Sequence, residues 1–384
     1  MDNRTKVVVT VFVVVVCIVG LYVAKDRAVE QEDDRLVIEC SVDRFNEFGC
    51  AVLTVDMRSM DSLEAPYGTD LYVEFNGSTY TAIFVQDYSG VPSFSMFVSF
   101  IGAQKEYVVG VFNGHFSEGH SISVGDTVRL SVAGPNPYYS RLPNYLAGYS
   151  NSREDYPSDQ VFANYRMLGG GDMAEDKVYR CSTPWGLYGR GELSDEYLSE
   201  VGVERLIGMD RSMEEIADVV KKKGDLYSSH LFLDGKVSTR FLSPSVHSHP
   251  EEIGWVIDRI LDSDGSVGLF CKLGKDRTGI YCLILQALAG ATLEEATDEF
   301  MLSFTNFYWI MKGTDEYDAV YETNLFRILY LFQHPELIDS MLDIDWSKAE
   351  LVDFDLQEVI TGFLIDYIGI PVEKIDALKA WLTG

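Results

Sequence analysis

The sequence predicts an α/β fold with a central, mostly parallel sheet flanked by helices, preceded by a small β-rich unit and an N-terminal hydrophobic helix. Three observations predict it. Residues 36–133 are short β-branched or aromatic stretches divided by turns, with no helix-period pattern of any length. From Val161 onward strand patterns alternate with helix patterns, as in βαβ units. Val7 to Ala24 is an uncharged, valine-rich run of 18 residues.

At 1.5 Å rise per residue that run covers about 27 Å, enough for a bilayer core. Arg4 and Lys6 precede it and an acidic stretch from Glu30 to Asp34 follows. The positive side stays in the cytoplasm, so residues 1–30 read as a signal anchor, single-pass in the cell membrane, with the bulk of the chain extracytoplasmic. Secretion after signal-peptide cleavage is the alternative, although neither Tyr22-Val23-Ala24 nor Asp26-Arg27-Ala28 has a small residue three before the cut.

In the unit spanning 36–133, strands are expected at Leu36 to Glu39, Ala51 to Asp56, Leu71 to Phe75, Tyr80 to Val85, Phe94 to Phe100, Tyr107 to Phe112 and Thr127 to Val132. Asn76-Gly77, Ser89-Gly90 and Asn113-Gly114 supply turns, and a barrel or a sandwich closes such a unit. Residues 134–157, with prolines among tyrosines, form an ordered connector. In the unit spanning 158–384, strands are expected at Lys177 to Arg180, Val203 to Met209, Val237 to Leu242 and Val267 to Phe270. Helices are expected at Asp195 to Val201, Met213 to Lys223, Pro250 to Leu261 and Thr278 to Leu288, the last apolar enough to be buried. Thr292 and Glu295 form a capping box, and the C-terminal tail reads as helical, including Leu325 to Leu331, Trp346 to Val352 and a stretch capped by Asp355.

Sixty acidic against 31 basic residues give a formal charge of -29. Such a surface repels nucleic acid, which is excluded as a partner. A phosphorylated substrate must then be held by local positive charge, and Lys272, Lys275 and Arg277 supply it. Six cysteines include no CxxC pair, so no metal site is expected. Cys40 and Cys50 read as free buried thiols, or as a bridge between neighbouring strands if their unit lies outside the cytosol. His247 and His249 read as residues of a surface loop rather than metal ligands.

Residues 271–279 read CKLGKDRTG between an apolar strand and an apolar helix. The equatorial oxygens of a phosphate want backbone N–H donors and a planar bidentate cation. The turn through Lys272, Leu273, Gly274 and Lys275 can aim amides inward, with Gly274 easing the curvature. The helix beginning near Thr278 and Gly279 adds its positive end. Arg277 is placed to clamp two oxygens. The same dipoles favour a thiolate at Cys271, which makes it the candidate nucleophile. Thr278 is placed to hydrogen-bond the sulfur. A phosphocysteine then needs only water for its hydrolysis, with no cofactor.

This loop resembles that of the cysteine-dependent protein tyrosine phosphatase superfamily, nearest to a bacterial and archaeal branch whose loop reads HCxxGKDRTG. Asn164-Tyr-Arg-Met-Leu-Gly-Gly170 and Val178-Tyr-Arg-Cys-Ser182 match that branch's upstream NFRDLGG and YRS segments. The resemblance implies a tyrosine-phosphatase-like catalytic domain, with Cys271 as nucleophile and Arg277 as phosphate clamp. It implies Asp276 as general acid, because some relatives with this loop use the aspartate beside the arginine, where ordinary tyrosine phosphatases use one from a separate loop. Asp210 and Asp234 are the alternatives. Phe270 stands where the branch has a histidine that orients the loop. The implied substrate is a phosphorylated protein, read by a tyrosine or dual-specificity phosphatase. The alternative is a phosphorylated small molecule such as an inositol phosphate, suggested by Lys272 and Lys275; a weak or inactive phosphate-binding interaction protein is the non-enzyme reading. Tyr165, Trp185, Phe307, Tyr308 and Trp309 are candidate walls for a phosphotyrosine cleft.

Overall fold

The computed structural model describes residues 35–384, apart from 47–48, 87–90, 103, 113–115, 117–119 and 243–249. The span expected at Val7 to Ala24, the turns at Ser89-Gly90 and Asn113-Gly114, and His247 and His249 lie outside the described residues. Among the described residues no helix is long and apolar enough to cross a membrane.

Seven strands close into a barrel in the order β1-β2-β6-β5-β4-β3-β7. They are β1 Ile38–Phe45, β2 Ala51–Leu53, β3 Thr69–Phe75, β4 Ser78–Val85, β5 Met96–Ile101, β6 Glu106–Val111 and β7 Thr127–Pro135. Of the two closures the sequence allowed, the barrel is the one formed. Strand β3 shows the expected period of two, with Leu71, Val73 and Phe75 buried. Asn76 and Gly77 both take positive φ, 51° and 78°, as a two-residue hairpin turn requires. Strand β7 runs past Val132 because Gly134 and Pro135 pair with Asp70 and Thr69 beyond a bulge. Cys40 and Cys50 are free, and burial pushes their thiols up to about 12 and about 11.

The connector is ordered by two 3-10 turns, Tyr139–Arg141 and Arg153–Asp155, around a helix at Pro143–Ala147. The Glu316 carboxylate accepts the amides of Asn144 and Tyr145 at 2.8 and 2.9 Å, fastening that helix to the one at Asp315–Tyr321.

The second sheet has the order β11-β10-β12-β9-β8, with β8 Arg166–Met167, β9 Val178–Ser182, β10 Arg205–Gly208, β11 Val237–Thr239 and β12 Val267–Cys271. All neighbours are parallel except β8 and β9. The C-terminal ends of β9, β10, β11 and β12 therefore share one edge, where α/β proteins place their sites. The helix Asp276–Leu288 is buried along almost its whole length, and the helix Leu293–Tyr308, with the expected Thr292–Glu295 capping box, packs beside it.

Two parts of the tail depart from expectation. Trp346 to Val352 is not helical: the Asp345 side chain accepts the Ser347 amide and closes a local turn, while the Trp346 ring packs on Phe94 and Tyr330. The segment around Leu325 opens as a π turn, Glu322–Phe326, before the helix Arg327–Gln333. The helices Tyr227–Leu233 and Asp315–Tyr321 were not anticipated.

Candidate active site

Strand β12 is buried at every position and delivers Cys271 to the shared edge, 3% exposed. The helix that follows starts at Asp276, two residues earlier than the apolar pattern suggests, so Asp276 and Arg277 lie in its first turn. The first amides of such a helix have no intrahelical acceptor, which leaves its positive end facing the thiol.

The loop between them is held from behind. Asn164 Nδ2 donates to the Leu273 and Gly274 carbonyls, each at 3.1 Å, and Ser182 Oγ donates to the Leu273 carbonyl at 3.2 Å. Arg180 Nη2 donates to the Gly274 and Lys275 carbonyls at 2.6 and 3.3 Å. Glu299 pairs with both Arg180 and Arg166, and Arg166 Nη1 in turn donates to Asn164 Oδ1 at 2.7 Å. A trans peptide points its N–H opposite to its C=O. Fixing the Gly274 and Lys275 carbonyls outward therefore aims the Lys275 and Asp276 amides into the loop. The contacting residues, Asn164, Arg180 and Ser182, come from the two upstream segments that carry the family resemblance, but nothing in the sequence alone assigned them this task.

Gly274 is required by space as well as by its φ of 62°, since a Cβ there would lie 2.2 Å from the Cys181 carbonyl oxygen. Arg277 Nη1 donates to the Met209 carbonyl at 2.7 Å, and its guanidinium lies 5.0 Å from the centroid of the Phe241 ring. Phe241, just past β11, is 53% exposed and is the aromatic group beside the clamp; sequence reading missed it. Thr278 is fully buried, and its hydroxyl has no hydrogen-bond partner among the described residues.

The two lysines part company. Lys272 is exposed. Lys275 is 4% exposed, and its amine lies 4.3 Å from the Phe304 ring centroid, 5.1 Å from Tyr145 and 5.3 Å from Tyr308. Burial opposes its charge, yet Asp276 and then Tyr145 and Tyr308 raise its pKa well above the lysine range. An amine enclosed by three rings and paired to Asp276 at 2.9 Å is turned away from the loop, so of the expected phosphate contacts Lys275 keeps its backbone amide and not its side-chain charge.

The three candidate acids also separate. Asp276 is paired to Lys275 but 45% exposed at the loop. Asp210 follows β10 on the same edge, with its side chain 4% exposed and one carboxylate oxygen unpartnered. Burial raises its pKa against the pull of Arg211 and Arg277. Asp234 ends the helix Tyr227–Leu233 and precedes β11, so it lies at the opposite edge of the parallel sheet. The chain cannot bring it to the thiol without unpairing β11.

Phe270 is fully buried and meets Trp185 edge-on at 5.7 Å, in an apolar cluster with Leu206 and Val237. Gly208 pairs directly with Phe270, and a Cβ at Gly208 would stand 2.4 Å from the Phe270 ring. The missing histidine is thus replaced by a packed ring with space made for it. Of the proposed cleft walls, Tyr165 stacks on Tyr179 and Tyr197, Phe307 lies 5.0 Å from the Arg190 guanidinium, Tyr308 belongs to the lysine cage and Trp309 leans on Tyr156. None of them stacks on Arg277.

A parallel sheet that brings a thiol and an arginine to the edge formed by its strands' C-terminal ends defines an α/β protein of the kind that places its site there. The chain belongs to the tyrosine phosphatase family, whose model matches residues 160–384. It is also similar to a solved structure of an uncharacterized conserved protein from Thermotoga maritima, with 16% identity over 24% of this chain and 35% of that one, at a TM-score of 0.24. A conserved hypothetical protein from Thermus thermophilus shows 27% identity over 24% of this chain and 34% of that one, at a TM-score of 0.19. The chain thus spans about a third of the length of these two proteins, and likenesses so partial carry no argument. No curated protein matches the chain.

Proposed function

We propose that this chain hydrolyses phosphomonoesters through a phosphocysteine at Cys271. The observation that carries the reading is the outward fastening of the Gly274 and Lys275 carbonyls, which presents the next amides beside Cys271 and Arg277. Donors fixed before the reaction stabilise developing charge without reorganising. The Cys271 thiolate attacks phosphorus, the ester P–O bond breaks, and Asp276 protonates the departing oxygen. Water then attacks phosphorus, Asp276 takes its proton and the S–P bond breaks, releasing phosphate and restoring the thiolate. The Thr278 hydroxyl, buried without a partner, is available to the sulfur as it leaves. Arg277 clamps two oxygens in both steps.

The substrate class that fits best is a phosphorylated protein, read by a tyrosine or dual-specificity phosphatase of the branch with the HCxxGKDRTG loop. Phe241 beside Arg277 offers a face for an aryl leaving group. An inositol phosphate remains the second reading because Lys272 is exposed in the loop, although burial of Lys275 removes half of the motive for it. Anchoring by residues 1–30 would place the site outside the cytoplasm, away from inositol lipids and most cytosolic phosphoproteins alike. Steady-state hydrolysis of a phosphotyrosine peptide, a phosphoserine peptide and an inositol phosphate, beside Cys271→Ser, tests the proposal. Fastest turnover is expected on the phosphotyrosine peptide, and turnover that survives Cys271→Ser overturns the mechanism.

A further inference from the structure

The barrel, the connector and the π turn enclose a cleft of about 380 Å³, within the size range of small-molecule sites. None of the residues of the phosphate loop lines it. Its lining includes Arg327, which is 9% exposed. Arg327 Nη1 donates to the Ser93 carbonyl at 2.7 Å and to Ser95 Oγ at 2.9 Å, and the guanidinium carbon lies 4.8 Å from the Trp346 ring centroid. Nε is buried without a hydrogen-bond partner, and Nη2 has none among the described residues. Glu322, the acid of the same cleft whose charge acts on Arg327, pairs instead with Arg141 at 3.4 Å. Burial lowers the Arg327 pKa to about 10.

Other buried arginines are treated differently. Arg180 pairs with Glu299 and bonds two carbonyls through Nη2. Arg190 places its two terminal nitrogens on the Phe162 and Ser150 carbonyls. Arg327 alone of these three keeps a terminal nitrogen unbonded.

Asp70, from β3, also lines the cleft. It is half-buried, burial raises its pKa, and among the described residues its carboxylate accepts one hydrogen bond, from Asn136 Nδ2 at 2.8 Å. Asp70 and Arg327 do not pair with each other. Beside the Arg141–Glu322 pair at 3.4 Å, the cleft therefore holds a second cation, Arg327, and a second anion, Asp70, each short of hydrogen-bond partners.

The π turn builds this arrangement. At 3.6 residues per turn, positions five apart on an α-helix stand about 140° apart around the axis. The wider turn at Glu322–Phe326 brings Glu322, Thr323 and Arg327 to the same cleft. It also frees the Thr323 carbonyl, which accepts the Ser93 amide at 3.0 Å. Docking of the barrel thus uses both backbone groups of Ser93 and one arginine nitrogen, and leaves Nη2 and Asp70 available.

We propose that this cleft binds a small carboxylic acid whose far end donates hydrogen bonds through a hydroxyl or ammonium group. The carboxylate meets Arg327, and the donor meets Asp70. Calorimetric titration of the full chain with D-glucuronate and with β-alanine separates the two donor types, and propionate is the control that lacks one. One of the first two is expected to bind saturably, one to one, and more tightly than propionate. Arg327→Lys keeps the charge but loses the planar fork, and weakens that binding roughly tenfold or more. Arg277→Met leaves it intact. In the wild-type chain the bound acid slows hydrogen exchange in residues 93–96 and 322–327. Absence of saturable binding, loss of binding in Arg277→Met, or unchanged exchange in those segments overturns the proposal.

Discussion

A methyl group at Gly274 would lie 2.2 Å from the Cys181 carbonyl oxygen, while ordinary contact begins near 3.4 Å. Because β9 is held on both sides by β8 and β12, the loop rather than the strand must yield, by about 1.2 Å, the difference between those two distances. Misplacement of about 1 Å in a reacting constellation lowers rates by roughly 100-fold. Gly274→Ala is therefore expected to reduce kcat on p-nitrophenyl phosphate by roughly that factor and to weaken inhibition by inorganic phosphate. The positive φ of 62° adds a backbone cost of about 1–2 kcal/mol to stability, read by urea unfolding. Gly235 is the internal control: its φ is 71°, but nothing lies within 4 Å of a Cβ there. Gly235→Ala should show the stability loss without the loss of rate. A Gly274→Ala enzyme within threefold of wild type, or equal rate losses in the two variants, would refute the reasoning that loop placement limits turnover.

Asp276→Asn should slow the phosphocysteine-forming step, read in single turnovers, by roughly 100-fold or more on alkyl phosphates and hardly at all on aryl phosphates with good leaving groups. Equal losses across a leaving-group series would assign Asp276 to loop structure instead. Burial raises the Asp210 carboxyl above its ordinary value of 3.8, so the folded chain holds that proton more tightly than the unfolded chain. The group favours folding below the unfolded value and loses that contribution as pH rises through the folded one. Asp210→Asn should accordingly raise the urea midpoint at neutral pH, with the gain shrinking towards about pH 4; a gain that grows on acidification contradicts the sign. Phe270→His should destabilise the chain by about 2 kcal/mol, because it puts an imidazole into an apolar cluster, and an unchanged midpoint would contradict the packing described.

The parts of the fold that were legible in the sequence are those set by local pattern. The strand alternation of β3, the Asn76-Gly77 turn, the capping box at Thr292 and the apolar helix behind the loop all follow from residues a few positions apart. CKLGKDRTG was legible for the same reason, since thiol, amides and clamp lie within one turn of chain. The fate of Lys275 was not, because three rings from distant segments decide it: Tyr145 from the connector, and Phe304 and Tyr308 from a later helix. Nor was the fastening of the loop by Asn164, which depends on a residue more than 100 positions upstream. Trp346 to Val352 carries helix-compatible residues, but the Asp345 side chain and the packing of Trp346 outweigh that propensity. Asp234 was misplaced because sequence order does not reveal which end of a parallel strand a residue occupies until the pairing of β11 with β10 is known.

Acid quenching of the enzyme during turnover of a phosphopeptide, followed by mass spectrometry of the peptide that contains Cys271, tests the central claim most directly. Turnover through Cys271 predicts one phosphate on that sulfur, accumulating further in Asp276→Asn when the substrate has a good leaving group, and absent from Cys271→Ser. Steady turnover with no phosphate on Cys271, or with the label on another residue, would contradict it.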